Sequence, residues 1–202
     1  MSQSRVLADQ FFPQEGIAAD AVRIAAATVL LALCAHIVIP LPWTPVPITG
    51  QTFGVLLVGV LLGARRGGIA LVLYLLEGAA GLPVFQPLGL VGLPRFLGPT
   101  AGYLISYPAA AFVTGWLVER GAQIAALGAA YSRAAALSLI GGLISGEAVI
   151  FAGGCAWLAV ALGFGWKLAL QQGALPFVPG EIVKMAAIVA AVGGLQLFRR
   201  KS

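Results

Sequence analysis

Residues 49–81 read TGQTFGVLLVGVLLGARRGGIALVLYLLEGAAG, two apolar runs that meet at Arg65-Arg66. As one straight helix the stretch would hold two adjacent guanidinium groups inside its apolar length, which is costly in hydrocarbon. The reading that avoids this turns the chain at Ala64-Arg65-Arg66-Gly67. Two short helices result, Thr49–Ala64 and Gly67–Gly81, in a tight helical hairpin. The argument presumes a lipid solvent, and composition supplies it. Of 202 residues 60% are hydrophobic, with only 12 Lys+Arg and 7 Asp+Glu. An average soluble domain gives ~25% of its residues to charge, against 9% here. With a mean hydropathy of +0.98, the chain has too few polar groups to cover a water-exposed surface. A soluble globular domain, a disordered chain and a nucleic-acid-binding protein are excluded together. The net charge of +5 is scattered and forms no basic face.

A span needs about 20 mostly apolar residues to cross ~30 Å of hydrocarbon. Outward from the hairpin, such segments are Ala19–Ile39, Thr100–Val118, Ala134–Leu162 and Pro179–Leu197. The expected fold is therefore an all-α integral membrane protein: one membrane domain over residues 1–202, with six transmembrane helices. The positive-inside bias orients it. With the N-terminus inside, Arg5, Arg23, Arg65, Arg66, Arg120, Arg133, Arg199, Arg200 and Lys201 fall on the cytoplasmic side, and only Arg95 and Lys167 fall outside. Both termini are then cytoplasmic, residues 1–18 form a cytoplasmic segment, and the chain is a multi-pass protein of the cell membrane. That first segment holds Asp9, Phe11, Phe12 and Glu15 and lacks the short apolar core of a secretory leader.

The outside loops, Pro40–Ile48, Leu82–Pro99 and Gly163–Val178, are rich in Pro, Gly, Trp and Phe. Such loops hold fixed shapes, and their apolar content suits a structured cap over a ligand pocket better than a solvated connector. Gly50/Gly54, Gly59/Gly63, Gly63/Gly67 and Gly142/Gly146 stand at GxxxG spacing, where helices approach closely in lipid. They serve packing inside the bundle or docking to another membrane subunit, and Ala21/Ala25 repeat the pattern on the first helix. Cys34 and Cys155 lie in apolar stretches without CxxC spacing and read as buried thiols.

Ionisable groups inside a membrane are functional candidates by default. Glu181 and Lys184 share one helical face at i, i+3, at the outer end of the last span. Two readings stand: a self-satisfied ion pair, or a polar pair aimed into a cavity that holds a ligand with donors and acceptors. Glu147 lies mid-span, with a packing role and a proton or ligand role equally open. Glu77 leans toward the outer surface, and His36, the single histidine, reads as structural. Arg95 sits between Pro94 and Phe96 in a loop without other charge; a carboxylate partner would explain it. Walker, HExxH and GxSxG motifs are absent, so no enzyme, cofactor or metal site is read.

These residues resemble a known family. The run Pro45-Val46-Pro47-Ile48-Thr49-Gly50-Gln51-Thr52-Phe53-Gly54-Val55-Leu56-Leu57, followed by Leu62-Gly63-Ala64-Arg65-Arg66-Gly67, is similar to the start of BioY proteins. These are the substrate-binding (S) components of biotin transporters of the energy-coupling factor (ECF) type. Gly81-Leu82-Pro83-Val84-Phe85, Gly98-Pro99-Thr100-Ala101-Gly102-Tyr103 and Pro179-Gly180-Glu181-Ile182-Val183-Lys184 carry the resemblance to about residue 198. It implies six helices, both termini inside, and a biotin pocket near the outer face under the loops after the first and third helices. It puts Glu181 and Lys184 near the ligand, Glu standing where Asp is usual, with Gln51 and Arg95 lining the site and Tyr103 and Phe85 nearby. Gln86–Pro94 replaces the family's glycine-rich stretch. Trp43 and Phe85 suit the apolar body of biotin. The resemblance also implies a membrane coupling subunit and ATPase subunits as partners, with Ala21 and Ala25 as a docking face. The alternative is an ion- or proton-coupled secondary transporter of a small carboxylate solute, using Glu147 and Glu181.

Overall fold

The computed structural model describes residues 16–126 and 131–199. Arg5, Asp9, Glu15, Arg200 and Lys201 lie outside the described residues, as do the side chains of Arg133 and Arg199. The chain is mainly helical. Helix α1 is Ile17–His36 and leads into a two-residue ribbon, β1 Val38–Ile39 against β2 Ile48–Thr49, antiparallel with Val38 opposite Thr49. The ribbon closes the Pro40–Pro47 loop over the end of α1. Next comes α2, Gln51–Ala79, a continuous helical stretch except at Gly63, whose φ of 78° and ψ of −176° are non-helical.

That one residue folds α2 back on itself. Gln51 Nε2 donates to the Tyr74 hydroxyl at 2.8 Å, although a straight helix would hold residues 23 positions apart at roughly 34 Å. The hairpin read from residues 49–81 is present, and its turn lies two residues before Arg65. Glycine tolerates positive φ without a Cβ penalty, so the chain turns at Gly63, and Arg65 and Arg66 fall in the second arm. The backbone N–H of Ala64 at the start of that arm donates to Glu119 Oε1 at 3.0 Å, so an acidic side chain meets a helix N-terminus where the dipole favours it.

A long loop with a 3-10 turn at Leu93–Leu97 leads to α3, Ala101–Ala126. Helix α4, Tyr131–Ala156, continues as one π-helical turn, Trp157–Ala161. A nine-residue helix α5, Gly165–Gly173, and α6, Val178–Arg199, complete the chain. By length and apolarity alone α1, α2, α3 and α4 qualify as membrane spans, and α5 with α6, bent by 48°, adds a fifth if the pair crosses as one. With the two arms of α2 counted separately and α5 left aside, the described residues hold the six helices expected. The segment not foreseen is α5, inside the predicted Gly163–Val178 loop.

Small residues set the packing of the hairpin between α1 and α3. Gly54 abuts Leu31 and Cys34 of α1, Gly59 abuts Ala111 and Thr114 of α3, and Gly146 of α4 abuts Thr114 and Leu56. The GxxxG spacings therefore serve contacts within the chain. One end of the bundle is charged: Asp20 pairs with both Arg23 and Arg66 at 2.9 Å, and Arg120 stacks over Trp116 at 4.2 Å. Glu181, Lys184 and Arg95 lie toward the opposite end, among the Pro- and Gly-rich loops.

Candidate functional site

Helix α6 begins where Pro179 and Gly180 follow Val178, and Glu181 lies in its first turn, its N–H bonded to Phe177 O at 3.0 Å. Lys184 follows one turn later. Its ammonium donates three bonds: to Glu181 Oε1 at 2.7 Å, to Thr52 Oγ1 at 2.8 Å and to Thr49 O at 2.7 Å. The Thr52 hydroxyl in turn donates to Glu181 Oε2 at 2.8 Å. An ammonium has three donors, so Lys184 is saturated. Glu181 is buried with each oxygen receiving one bond, and a carboxylate accepts more than two. The pair is therefore self-satisfied and also keeps acceptor capacity where Glu181 borders a cavity.

That inner cavity, about 40 Å³, is walled by Glu181, Gln51, Thr52, Tyr103, Tyr107 and Phe151 among others. Gln51 is fixed by its bond to Tyr74, whose hydroxyl donates on to Val84 O at 2.8 Å. Tyr103 donates to Gly173 O at 2.6 Å and so ties α3 to α5. Pro47, Gln86 and Thr100 also border a second, outer cavity of about 290 Å³ beneath the loops, lined by Leu41, Pro45, Leu90, Pro94 and Arg95. The two adjoin at these three residues and together make a mostly apolar recess, with a carboxylate on the wall of the inner cavity and a guanidinium on the wall of the outer.

Arg95 is 4% exposed. The expected carboxylate partner is replaced by backbone: Nη1 donates to Leu88 O and Leu90 O, and Nη2 to Gln86 O at 3.1 Å. Carbonyl dipoles solvate the cation without neutralising it, and Nε has no partner among the described residues. Burial pulls this guanidinium below its ordinary pKa, with Tyr74 and Tyr107 opposing; at neutral pH it is still a cation. It pins the 86–90 loop and leaves a positive charge beside the outer cavity.

Of the residues singled out in the sequence, Glu181, Gln51, Tyr103 and Arg95 line the recess, and Lys184 lies directly behind Glu181. Phe85 lies beside the recess, not in it: it packs over Gly78, edge-on to Tyr74 at 5.2 Å and Phe96 at 5.8 Å. Trp43, 61% exposed, lines neither cavity. Ala21 and Ala25 are exposed on α1. Glu77 accepts from Thr28 at 3.1 Å and links α1 to the hairpin. Thr52, Thr100, Gln86 and Tyr107 were not foreseen. Tyr107 had a signal, since it stands one helical turn after Tyr103 on the same face.

The profile of the BioY family matches residues 3–200. A biotin transporter BioY of Rhizobium etli is 41% identical over 83% of this chain and 86% of its own length. One from Thermotoga maritima is 35% identical over 84% and 90%. A 2.1 Å crystal structure of the S-component for biotin from an ECF-type ABC transporter superposes with a TM-score of 0.76 at 28% identity, covering 89% of this chain and 91% of that one.

Proposed function

The chain belongs to the BioY family, and from that premise we infer that it is the biotin-binding membrane subunit of a vitamin uptake transporter and not an enzyme. The observation that carries the reading is the recess itself, which has acceptor capacity on buried Glu181 at one end and an uncompensated cation, Arg95, at the other. Biotin has the matching polarity: two ureido N–H donors and a carbonyl at one end, an apolar bicycle and chain, and a terminal carboxylate. In this reading Glu181 accepts a ureido N–H. Gln51 and Tyr103 flank the bicycle, and the carboxylate pairs with Arg95, since Lys184 has no free proton. Phe85 supports the wall through Tyr74, and Trp43 covers the ligand only by an inward fold of the Pro40–Pro47 loop.

The orientation follows from charge. The end holding Arg23, Arg66 and Arg120 faces the cytoplasm, both termini with it, and the loop-covered recess opens outward. The loops are then the cap through which biotin enters at the cell surface. Having no Walker motif, the chain relies on ATPase subunits and a membrane coupling subunit. Exposed Ala21 and Ala25 give that partner a flat approach to α1. Ala21→Leu with Ala25→Leu is expected to weaken co-purification with the coupling subunit at least about tenfold and to leave biotin affinity unchanged; lost biotin binding with intact association would refute this face.

Titration of the purified chain with biotin, without nucleotide or ion gradient, is expected to saturate one-to-one. Absence of binding would overturn the assignment. Uptake by the chain alone in liposomes, driven by a pH gradient, would favour the secondary-transporter alternative.

A further inference from the structure

Besides Glu181, four polar side chains reach the inner cavity from helices: Gln51 and Thr52 of α2, and Tyr103 and Tyr107 of α3. Three of them are engaged. Gln51 gives an amide hydrogen to Tyr74, and its oxygen accepts from Thr49 at 3.4 Å. Thr52 donates to Glu181 and accepts from Lys184. Tyr103 donates to Gly173 O. Tyr107 is the exception. It is 3% exposed, and its hydroxyl has no hydrogen-bond partner among the described residues. Buried hydroxyls are ordinarily bonded, so this one asks for a reason.

Its place on the wall supplies one. Tyr107 follows Tyr103 by one turn of α3, on the same face, and Tyr103 is anchored to α5 through Gly173. Glu181 of α6, Thr52 of α2 and Phe151 of α4 complete the wall around them. Tyr107 borders the inner cavity alone, and Gln86 and Thr100 border both cavities. The polar atoms sealed from solvent without a partner are Arg95 Nε and the two Glu147 oxygens. Glu147 lines neither cavity and is buried beyond the wall. The Tyr107 oxygen is not sealed, so it is open to the cavity that its ring borders.

A phenol has one proton to give, and a ligand acceptor placed here would satisfy it. The inner cavity then holds spare acceptor capacity on Glu181 and a spare donor on Tyr107. A cyclic urea matches that pair, because its N–H and C=O groups adjoin on one ring. Its carbonyl leaves water on binding and needs a donor. Lys184 has spent its three protons on Thr49, Thr52 and Glu181, and the Thr52 and Tyr103 protons are also spent. We propose that Tyr107 is a specificity-determining residue of the ligand site, its hydroxyl donating to the ureido carbonyl of biotin while Glu181 accepts from the adjoining N–H. The proposal rests on the biotin reading above and adds the carbonyl's partner, which that reading leaves unassigned. It selects ligands whose ring carries a carbonyl oxygen next to an N–H.

The test compares the full chain with its Tyr107→Phe variant, which removes the hydroxyl and keeps the ring. In calorimetric titration with biotin the variant is expected to bind roughly tenfold more weakly. Its melting temperature without ligand is expected to equal or exceed that of wild type, because no bond within the chain is lost. Tyr103→Phe gives the contrast: Gly173 O loses its donor, so the unliganded melting temperature falls. Infrared difference spectra at saturating biotin, with the ureido carbonyl isotope-labelled, read the contact itself. The C=O stretch is expected at higher frequency in Tyr107→Phe than in wild type. The thiourea analogue of biotin, whose sulfur accepts weakly, is expected to lose less affinity than biotin does on the same substitution. Biotin affinity within about twofold of wild type would overturn the proposal and hand the carbonyl to the second amide hydrogen of Gln51. An unchanged ureido stretch, equal losses for biotin and its analogue, or a lowered unliganded melting temperature in Tyr107→Phe would each overturn it too. Absence of biotin binding by wild type would instead remove the reading on which it stands.

Discussion

Glu181→Ala is expected to lower biotin affinity by at least about 100-fold, ~2.7 kcal/mol. Two losses coincide in that substitution. The recess loses its buried acceptor for a ureido N–H. Lys184 loses the carboxylate 2.7 Å away and keeps only Thr49 O and Thr52 Oγ1. Removing one partner of a buried ion pair costs ~3–5 kcal/mol, because the remaining charge is stranded. Since Lys184 is partly exposed, the lower end of that range is expected here. The two losses are separable. Glu181→Ala with Lys184→Ala removes the stranded ammonium and should recover thermal stability relative to Glu181→Ala alone, yet it cannot recover the ligand acceptor. Affinity therefore stays low in the double variant while the melting temperature rises. If Glu181→Ala and Lys184→Ala both bound biotin within about threefold of wild type, the ligand would have to sit elsewhere.

Some of this architecture is written in local sequence. The hairpin is legible because Arg65-Arg66 cannot sit mid-helix in lipid, and the Glu181–Lys184 pair is legible because i, i+3 spacing puts both on one face. What is not local is not legible. The turn falls at Gly63 because α3 presents a glycine there, a fact of tertiary register. Arg95 was expected to meet a carboxylate, but residues 82–99 contain no acid, so the loop wraps its own carbonyls around the cation. Thr52 looks like any residue in a first helical turn until α6 brings Lys184 to it. Glu147 was conspicuous as a mid-span acid, but its place beyond the cavity wall depends on how α4 packs against α3 and α6. The nine residues of α5 alternate too briefly between polar and apolar to separate a helix from a loop.

The substitution with the largest expected structural effect is Gly115→Ala, far from the recess. A Cβ at Gly115 would come closer than 3.0 Å to the carbonyl carbon of Gly63, the nitrogen of Ala64 and the oxygen of Gly59. All three are backbone atoms of the turn that folds α2, and backbone cannot move aside by changing a rotamer. Either α3 retreats from the hairpin or the turn opens. Both routes loosen the Glu119–Ala64 bond of 3.0 Å. Overpacking of this kind costs ~1–3 kcal/mol and sometimes more; with rigid backbone on every side, the upper end is expected. For a chain of this size ~3 kcal/mol lowers the melting temperature by roughly 6–12 °C. Gly141→Ala on α4 is the control, because nothing lies within 4 Å of its added Cβ and alanine favours helix over glycine by ~1 kcal/mol. It should be neutral or slightly stabilising. Biotin affinity should follow the fold: the far end of the same hairpin holds Gln51 and Thr52 against the cavity, so Gly115→Ala weakens binding and Gly141→Ala does not. Equal melting temperatures for the two variants would mean that Gly63 and Gly115 do not clamp the hairpin.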